Sequence, residues 1–453
     1  MAPVAMLAAC GGEDFTPREE IDRLRLFGIR SATIDDPSVA WPRTGEPARL
    51  QALLTREIPT GQATARWSFC PVAFGSDGDF RCALDEAEFA AFVNEAVRAA
   101  VRDLTGVDLP ADLLLEPDFD LGTSTVAFTR GATVAATRFD LRDVFFAAGT
   151  GGLPPELAEL GLEAVLDLGL DLLCTQLQAQ DFPDFVERPE CDGVFPFRVD
   201  VEVRATAPEA PTETLRAQRF FDVRYDPDVP ANRNPSLQAT SGPSGICFVE
   251  VAPVPPDASP DDPSFARATA ARAEAEDLRT DDAAAAVARD LCVQADLGSI
   301  EASTFVPVFN LQAGNQRVAF VPLDGTTPPV LPLRLAQRYQ LELFGLDRND
   351  AEPYFRSGPD GDPVEDTEQL TVSWFVDAGG LERTRTAFEA GTEGATIDRL
   401  QSNRWTTPRP IDFDDPVQQL ELVFVVRDDR GGRAFGSVQG SVAPIAGMGA
   451  DAP

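Results

Sequence analysis

The stretch Phe197-Arg-Val-Asp-Val-Glu-Val-Arg-Ala205 alternates without a break: Phe197, Val199, Val201 and Val203 fall on one face, Arg198, Asp200, Glu202 and Arg204 on the other. A period of two is the signature of a strand with one buried and one wet face. LRAQRFFDVR, residues 215–224, repeats the pattern and is expected to pair with it across the APEAPTET turn. Upstream, Leu24 and Leu26 alternate with Arg23 and Arg25, and Ala48, Leu50, Ala52 and Leu54 mark a second strand. TARWSFC brings Trp67 into a third strand just before Cys70.

The same order recurs after residue 330. RYQLELFGL echoes RLRLFGIR, and LTVSWFV, with Trp374 inside it, echoes ARWSFC. QLELVFVVRDDRGG followed by RAFGSVQGSV mirrors the FRVDVEVRA and LRAQRFFDVR pair. Short strands with turn signals between them, and a Trp in a central strand of each copy, point to antiparallel sandwiches. Both copies resemble immunoglobulin-like domains, and VFVVRDDRGG resembles the penultimate strand and hairpin turn of PKD-type domains. The expected fold is mainly β, with two antiparallel Ig-like β-sandwich domains carrying α-helical insertions. The inter-sheet cysteine pair of antibody domains is absent, so the resemblance is architectural and implies no activity.

Helical periodicity interrupts the strands in three places. Asp85-Glu86-Ala87-Glu88 forms a capping box, and Phe89, Phe92, Val93, Ala96, Val97, Ala100, Val101 and Leu104 keep helical spacing behind it. This gives an insertion at about 83–105. A second helix, opened by Pro154-Pro155, spans about 154–180 and carries Cys174, and an Ala-rich third spans about 263–292 and ends at Cys292. The insertions read either as a binding cap or as extra packing layers over a sheet.

Residues 21–225 and 237–445 thus form the two expected domains, joined by a stiff polar linker, 226–236, with prolines at 227, 230 and 235. Residues 446–453 are a tail.

The chain has 453 residues, 74 acids against 38 bases, and a formal charge of −36. That balance excludes a nucleic-acid partner, which requires basic patches. All the bases are Arg, and a Lys-free acidic surface suits high salt, although biased codon usage gives the same composition. No apolar run reaches the ~18 residues of a spanning helix.

Seven cysteines leave one unpaired if disulfides form. Setting Cys10 aside, the rest fall in sequence as local couples, Cys70–Cys82, Cys174–Cys191 and Cys247–Cys292, the simplest connectivity. With no CxxC and no His, an oxidising compartment fits better than zinc; buried free thiols in a cytosolic protein are the alternative.

Leu7-Ala8-Ala9-Cys10, followed by the polar Gly-Gly-Glu-Asp, resembles the lipobox of bacterial lipoproteins. The resemblance implies a signal and lipobox at 1–10, a lipidated Cys10 as mature N-terminus, and a tether at 11–20. Gly11, rather than Asp, implies sorting to the outer membrane, on its periplasmic or surface face. Only nine uncharged residues precede Cys10, shorter than a full signal peptide of ~15 to 30, so the true translation start is expected upstream. Through its strands and LAAC the chain resembles bacterial surface lipoproteins with Ig-like domains.

The absence of His removes Ser-His-Asp and Cys-His catalysis and the usual neutral-pH base. Nor is there a glycine-rich phosphate loop with a following Lys. Acid-rich loops remain at Asp77 and Asp79, at Glu116, Asp118 and Asp120, at Asp226 and Asp228, and at Asp360, Asp362, Glu365 and Asp366. Oxygen ligands at such spacing suit calcium, but none matches the EF-hand frame and solvated turns give the same pattern. The linker set Asp226, Asp228, Asn232 and Asn234 is the candidate calcium site, where an ion would stiffen the junction as in cadherin-like linkers.

The expected function is that of a lipid-anchored envelope module, binding or structural, without catalysis or an obligatory cofactor, whose partner is an envelope protein or a glycan. Two alternatives stand beside it. One is a calcium-dependent adhesin. The other is a carbohydrate-active enzyme using paired carboxylates about 5 to 9.5 Å apart, with Trp41 and Trp405 as a sugar platform.

Overall fold

The computed structural model describes residues 21, 23–56, 61–72, 82–106, 117–128, 132–145, 162–179, 192–208, 210–237, 244–251, 288–293, 295, 304–310, 314–323, 330–346, 350–357, 363–389, 397–409 and 418–442. Cys10, Cys191, Asp77, Asp79, Glu116, Asp360, Asp362, the start of the second insertion, most of the third and the tail lie outside the described residues. The fold is mainly β, two antiparallel sandwiches with helical insertions.

The first sandwich comprises β1 (Arg25–Thr33), β2 (Ala48–Thr55), β3 (Gly61–Cys70), α1 (Glu86–Thr105), β4 (Asp120–Phe128), β5 (Thr133–Phe139), α2 (Leu141–Phe145), α3 (Leu162–Ala179), β6 (Val194–Ala207) and β7 (Ala210–Arg224). Its sheets run β1-β2-β5 and β4-β3-β6-β7, with every neighbouring pair antiparallel. In immunoglobulin terms these are strands A-B-E facing C′-C-F-G. The alternation in β6 places Phe197, Val199, Val201 and Val203 in the core shared by the sheets. Two details differ from the sequence reading. Arg198 is buried, its charge met by Asp200 at 2.7 Å, so only Glu202 and Arg204 on that face stand in water. The strands extend further into the APEAPTET stretch than its turn residues suggest, since Ala207 already pairs with Ala210.

The second sandwich comprises β8 (Gly245–Val251), β9 (Val306–Asn310), β10 (Gly314–Pro322), β11 (Val330–Leu333), β12 (Arg338–Phe344), β13 (Pro353–Ser357), β14 (Pro363–Thr367), β15 (Gln369–Val376), β16 (Gly380–Leu381), β17 (Arg385–Glu389), α4 (Ile397–Gln401), β18 (Ser402–Thr406), β19 (Gln418–Arg427) and β20 (Arg433–Val442). Its sheets are β16-β18-β12-β8-β10-β9 and β11-β20-β19-β15-β17, with β13-β14 a separate hairpin. Strands β8-β12-β18 stand as A-B-E and β20-β19-β15-β17 as G-F-C-C′, with the two-residue β16 beside β18. The parallel pairing of β11 with β20 closes the immunoglobulin-like key.

The internal repeat is physical. Trp67 and Trp374 occupy strand C of their respective sandwiches, both fully buried. Each indole N–H donates to a hydroxyl on strand C′: Trp67 to Ser124 Oγ at 3.2 Å, Trp374 to Thr386 Oγ1 at 3.1 Å. The hairpins β6–β7 and β19–β20 correspond as F–G. One echo is displaced, since RLRLFGIR lies in strand A of the first sandwich and RYQLELFGL in strand B of the second. Alternation specifies a half-buried strand, not its place in the key.

The capping box forms as expected. Asp85 Oδ1 accepts from the Glu88 N–H at 2.8 Å and Glu88 Oε2 from the Asp85 N–H at 3.1 Å, opening α1. Phe89 carries that helix into the core against Phe119 and Phe145. Cys70 at the end of β3 is bonded to Cys82 just ahead of α1, and Cys247 on β8 to Cys292 in the helical turn 288–293. Cys174, within α3, is disulfide-bonded as well. The Cys70–Cys82 and Cys247–Cys292 bonds tie the start of α1 and the helical turn 288–293 to the sheets.

Candidate functional site: the joint between the sandwiches

The outer face of sheet β1-β2-β5 packs on the outer face of β20-β19-β15. Ile21, Leu53, Val423 and Val425 are buried together, joined by Phe27, Val134, Phe375 and Phe435. Phe27 and Phe375 meet across the boundary with ring centroids 4.2 Å apart. Strand β19 is therefore apolar on both sides: Leu420, Leu422, Phe424 and Val426 enter its own core, while Val423 and Val425 enter the joint. At one rim Glu421 is buried and accepts hydrogen bonds from two groups of the first sandwich, Thr55 Oγ1 at 2.8 Å and the Ala132 N–H. Burial pushes the Glu421 carboxyl up. Loss of solvent, together with the Glu421 charge, pushes the neighbouring Asp377 up to about 8, against the pull of backbone N–H groups.

At the opposite rim the turn Asp428-Asp-Arg-Gly-Gly432 between β19 and β20 inserts between the sandwiches. Asp428 Oδ1 accepts from the Gly432 N–H at 2.7 Å and holds the turn closed. Gly431 has φ +103°, and a Cβ there would also stand 3.3 Å from the Arg219 guanidinium of β7. Arg219 is buried and donates to the Ile29 carbonyl of β1. The Arg430 guanidinium lies over Trp41 of the first sandwich (4.4 Å) and Tyr354 of the second (5.1 Å). It also reaches the wholly buried Glu368 carboxylate at 3.1 Å. Burial first, then the Asp428 carboxylate, push Glu368 up to about 8, against the pull of Arg430 and the Glu352 N–H.

The linker is stitched into this joint. The Ala40 N–H donates to the Asn232 carbonyl at 2.8 Å and the Asn234 N–H to the Ser38 carbonyl at 2.6 Å. The Asn234 amide spans the two sandwiches: its Nδ2 donates to the Ser31 carbonyl and its Oδ1 accepts from the Arg433 N–H, both at 2.8 Å. Asn232 is wholly buried, and among the described residues neither polar atom of its side chain has a hydrogen-bond partner. Asp226 accepts from the Asp228 N–H at 2.8 Å in an exposed turn. Among the described residues no group of three or more His, Cys, Asp or Glu side chains is placed to hold a metal ion.

The two tryptophans proposed as a sugar platform are committed elsewhere. Trp405 lies on β18 in the core, 1% exposed, with its N–H on the Ala378 carbonyl at 3.1 Å. Trp41 has its ring face against Arg430. The joint itself has a sequence signal, the loss of alternation in Leu420–Val426. A strand with one wet face shows polar residues where Val423 and Val425 stand.

No family model matches the chain and no curated protein matches it. Three solved structures align over 94% of this chain: red sea bream transglutaminase (8% identity, TM-score 0.18), latent PorU from Porphyromonas gingivalis (9%, 0.17) and a bacterial ice-binding adhesin of 1.5 MDa (10%, 0.16). The chain covers 32%, 34% and 98% of these structures respectively, about a third of the length of the first two. Likenesses at these scores carry no argument about fold or function, and the assignment of the sandwiches rests on their strand order and pairing.

Proposed function

We propose that the protein is a cell-envelope module, held to the outer membrane through a lipid on Cys10, which binds or braces an envelope protein or glycan without catalysis of its own. The observation that carries the reading is the disulfide-pinned insertions on two sandwiches fused into one body. Disulfides of this kind persist in oxidising compartments, and helices tied to a rigid frame present a fixed surface to a partner. No described helix is long and apolar enough to cross a membrane, so the proposed attachment is the lipid.

The test is membrane fractionation and intact mass of the protein from its native locus, with alkylation before and after reduction. Acylation at Cys10, with the other cysteines unreactive until reduced, supports the proposal. A cytosolic chain that alkylates at all seven cysteines overturns it.

A further inference from the structure

Strand β12 buries polar side chains on the face turned away from its sandwich core. Tyr339, Leu341 and Leu343 enter that core, so Gln340 and Glu342 lie on the other face, where alternation leads one to expect solvent. They are buried all the same. Gln340 is 7% exposed and Glu342 0%, and Ser402, opposite Glu342 on β18, is 6% exposed. On the neighbouring strand β8, Val249 stands opposite Gln340 and Cys247 opposite Glu342. Those two pack with Ala288, Leu291 and Cys292 of the disulfide-pinned helical turn, so the polar cluster adjoins an apolar layer.

Four side chains meet in this cluster. Ser402 Oγ donates to Glu342 Oε1 at 2.7 Å and accepts from Gln340 Nε2 at 2.6 Å. The same Glu342 oxygen also accepts from Gln340 Nε2, at 3.3 Å. Gln340 Oε1 accepts from Arg404 Nε at 2.8 Å, and the guanidinium polarises the amide carbonyl. A hydroxyl held by a carboxylate at this distance is a nucleophile in contact with its base. The amide carbon lies one C–N bond, about 1.33 Å, beyond the nitrogen that Ser402 touches.

We propose that Ser402 and Gln340 join as an intramolecular ester that cross-links β18 to β12. Ser402 Oγ attacks Gln340 Cδ while the hydroxyl proton passes to Glu342 Oε1. Arg404 stabilises the negative charge that develops on Gln340 Oε1. The Cδ–Nε2 bond then breaks, Glu342 returns the proton to the departing nitrogen, and ammonia leaves. One C–O bond forms and one C–N bond breaks, nothing is oxidised or reduced, and no co-reactant enters. Burial keeps water from the product ester. The event occurs once per chain and acts on no external substrate. It joins residues 62 apart in sequence by a bond that, unlike a disulfide, withstands thiol reductants.

The experiment is intact mass and tryptic mapping of the full chain carrying Cys10→Ser, folded, purified, then reduced and unfolded. Ser402→Ala and Glu342→Gln are run beside it, with circular dichroism to check folding. The parent chain is expected about 17 Da below the mass of its sequence, the weight of one ammonia, with peptides 339–348 and 400–404 joined. Hydroxylamine is expected to separate the two peptides, and both variants to show their full sequence masses. A parent chain at full mass, releasing 339–348 and 400–404 as separate peptides, would overturn the proposal however the variants behave. The same mass deficit persisting in Ser402→Ala would overturn it as well.

Discussion

At the scale of single residues, the tryptophans and one buried carboxylate give the sharpest expectations. The indole N–H of Trp374 depends on Thr386, whose hydroxyl also donates to the Leu400 carbonyl at 2.6 Å. Thr386→Val strands both buried groups and is expected to cost about 1–3 kcal/mol, measured by urea unfolding. Ser124→Ala, at the equivalent but half-exposed site of the first sandwich, is expected to cost about 1 kcal/mol or less. Glu368 yields a pH dependence. Its folded value, about 8, lies above the ordinary 4.5, so stability is fully present below about 4.5 and is lost as pH rises toward 8. Glu368→Gln is expected to flatten that fall; an unchanged slope between pH 5 and 8 would show that Glu368 ionises as freely folded as unfolded. The tryptophans were visible in the sequence because a large ring between alternating apolar residues has few places to go but a core. The role of Glu368 was not, because its partner Arg430, itself held over Trp41 and Tyr354, is far away in the chain.

At the scale of elements, the β19–β20 turn is what locks the two sandwiches together at one rim. VFVVRDDRGG is the strand and hairpin turn its sequence suggests. That the turn wedges between the sandwiches is not legible in the sequence, since its contacts with Arg219, Trp41 and Asn234 are non-local. Arg430→Ala removes the partner of Glu368 and the cation stacked on Trp41 and Tyr354, and is expected to lower the urea midpoint most above about pH 8, where Glu368 ionises. Adding Glu368→Gln to that variant is expected to recover part of the loss, as a double-mutant cycle would measure. If the two changes are simply additive, the pair does not act as a unit. Strands β6 and β7 were read from alternation and found in register, because alternation is a local property that the sheet preserves. RYQLELFGL echoes RLRLFGIR without sharing its place in the key, because their alternation is common to every half-buried strand.

At the scale of the whole molecule, the sequence suggests two domains on a stiff linker, and the structure joins them face to face. Val423 and Val425 on β19, Leu53 on β2 and Phe27 against Phe375 give the joint a core of its own. Glu421 and Asn234 cross it with hydrogen bonds, and Arg430 crosses it by stacking on Trp41. Such a joint couples the sandwiches energetically, so neither is expected to melt alone. The measurement that tests this most directly is differential scanning calorimetry of the full chain beside Val423→Asp, which places a charge in the joint without touching either sandwich core. One transition with equal calorimetric and van't Hoff enthalpies is expected for the parent chain, splitting into two in the variant. Two separate transitions already present in the parent chain would contradict it, leaving two sandwiches that touch without cooperating.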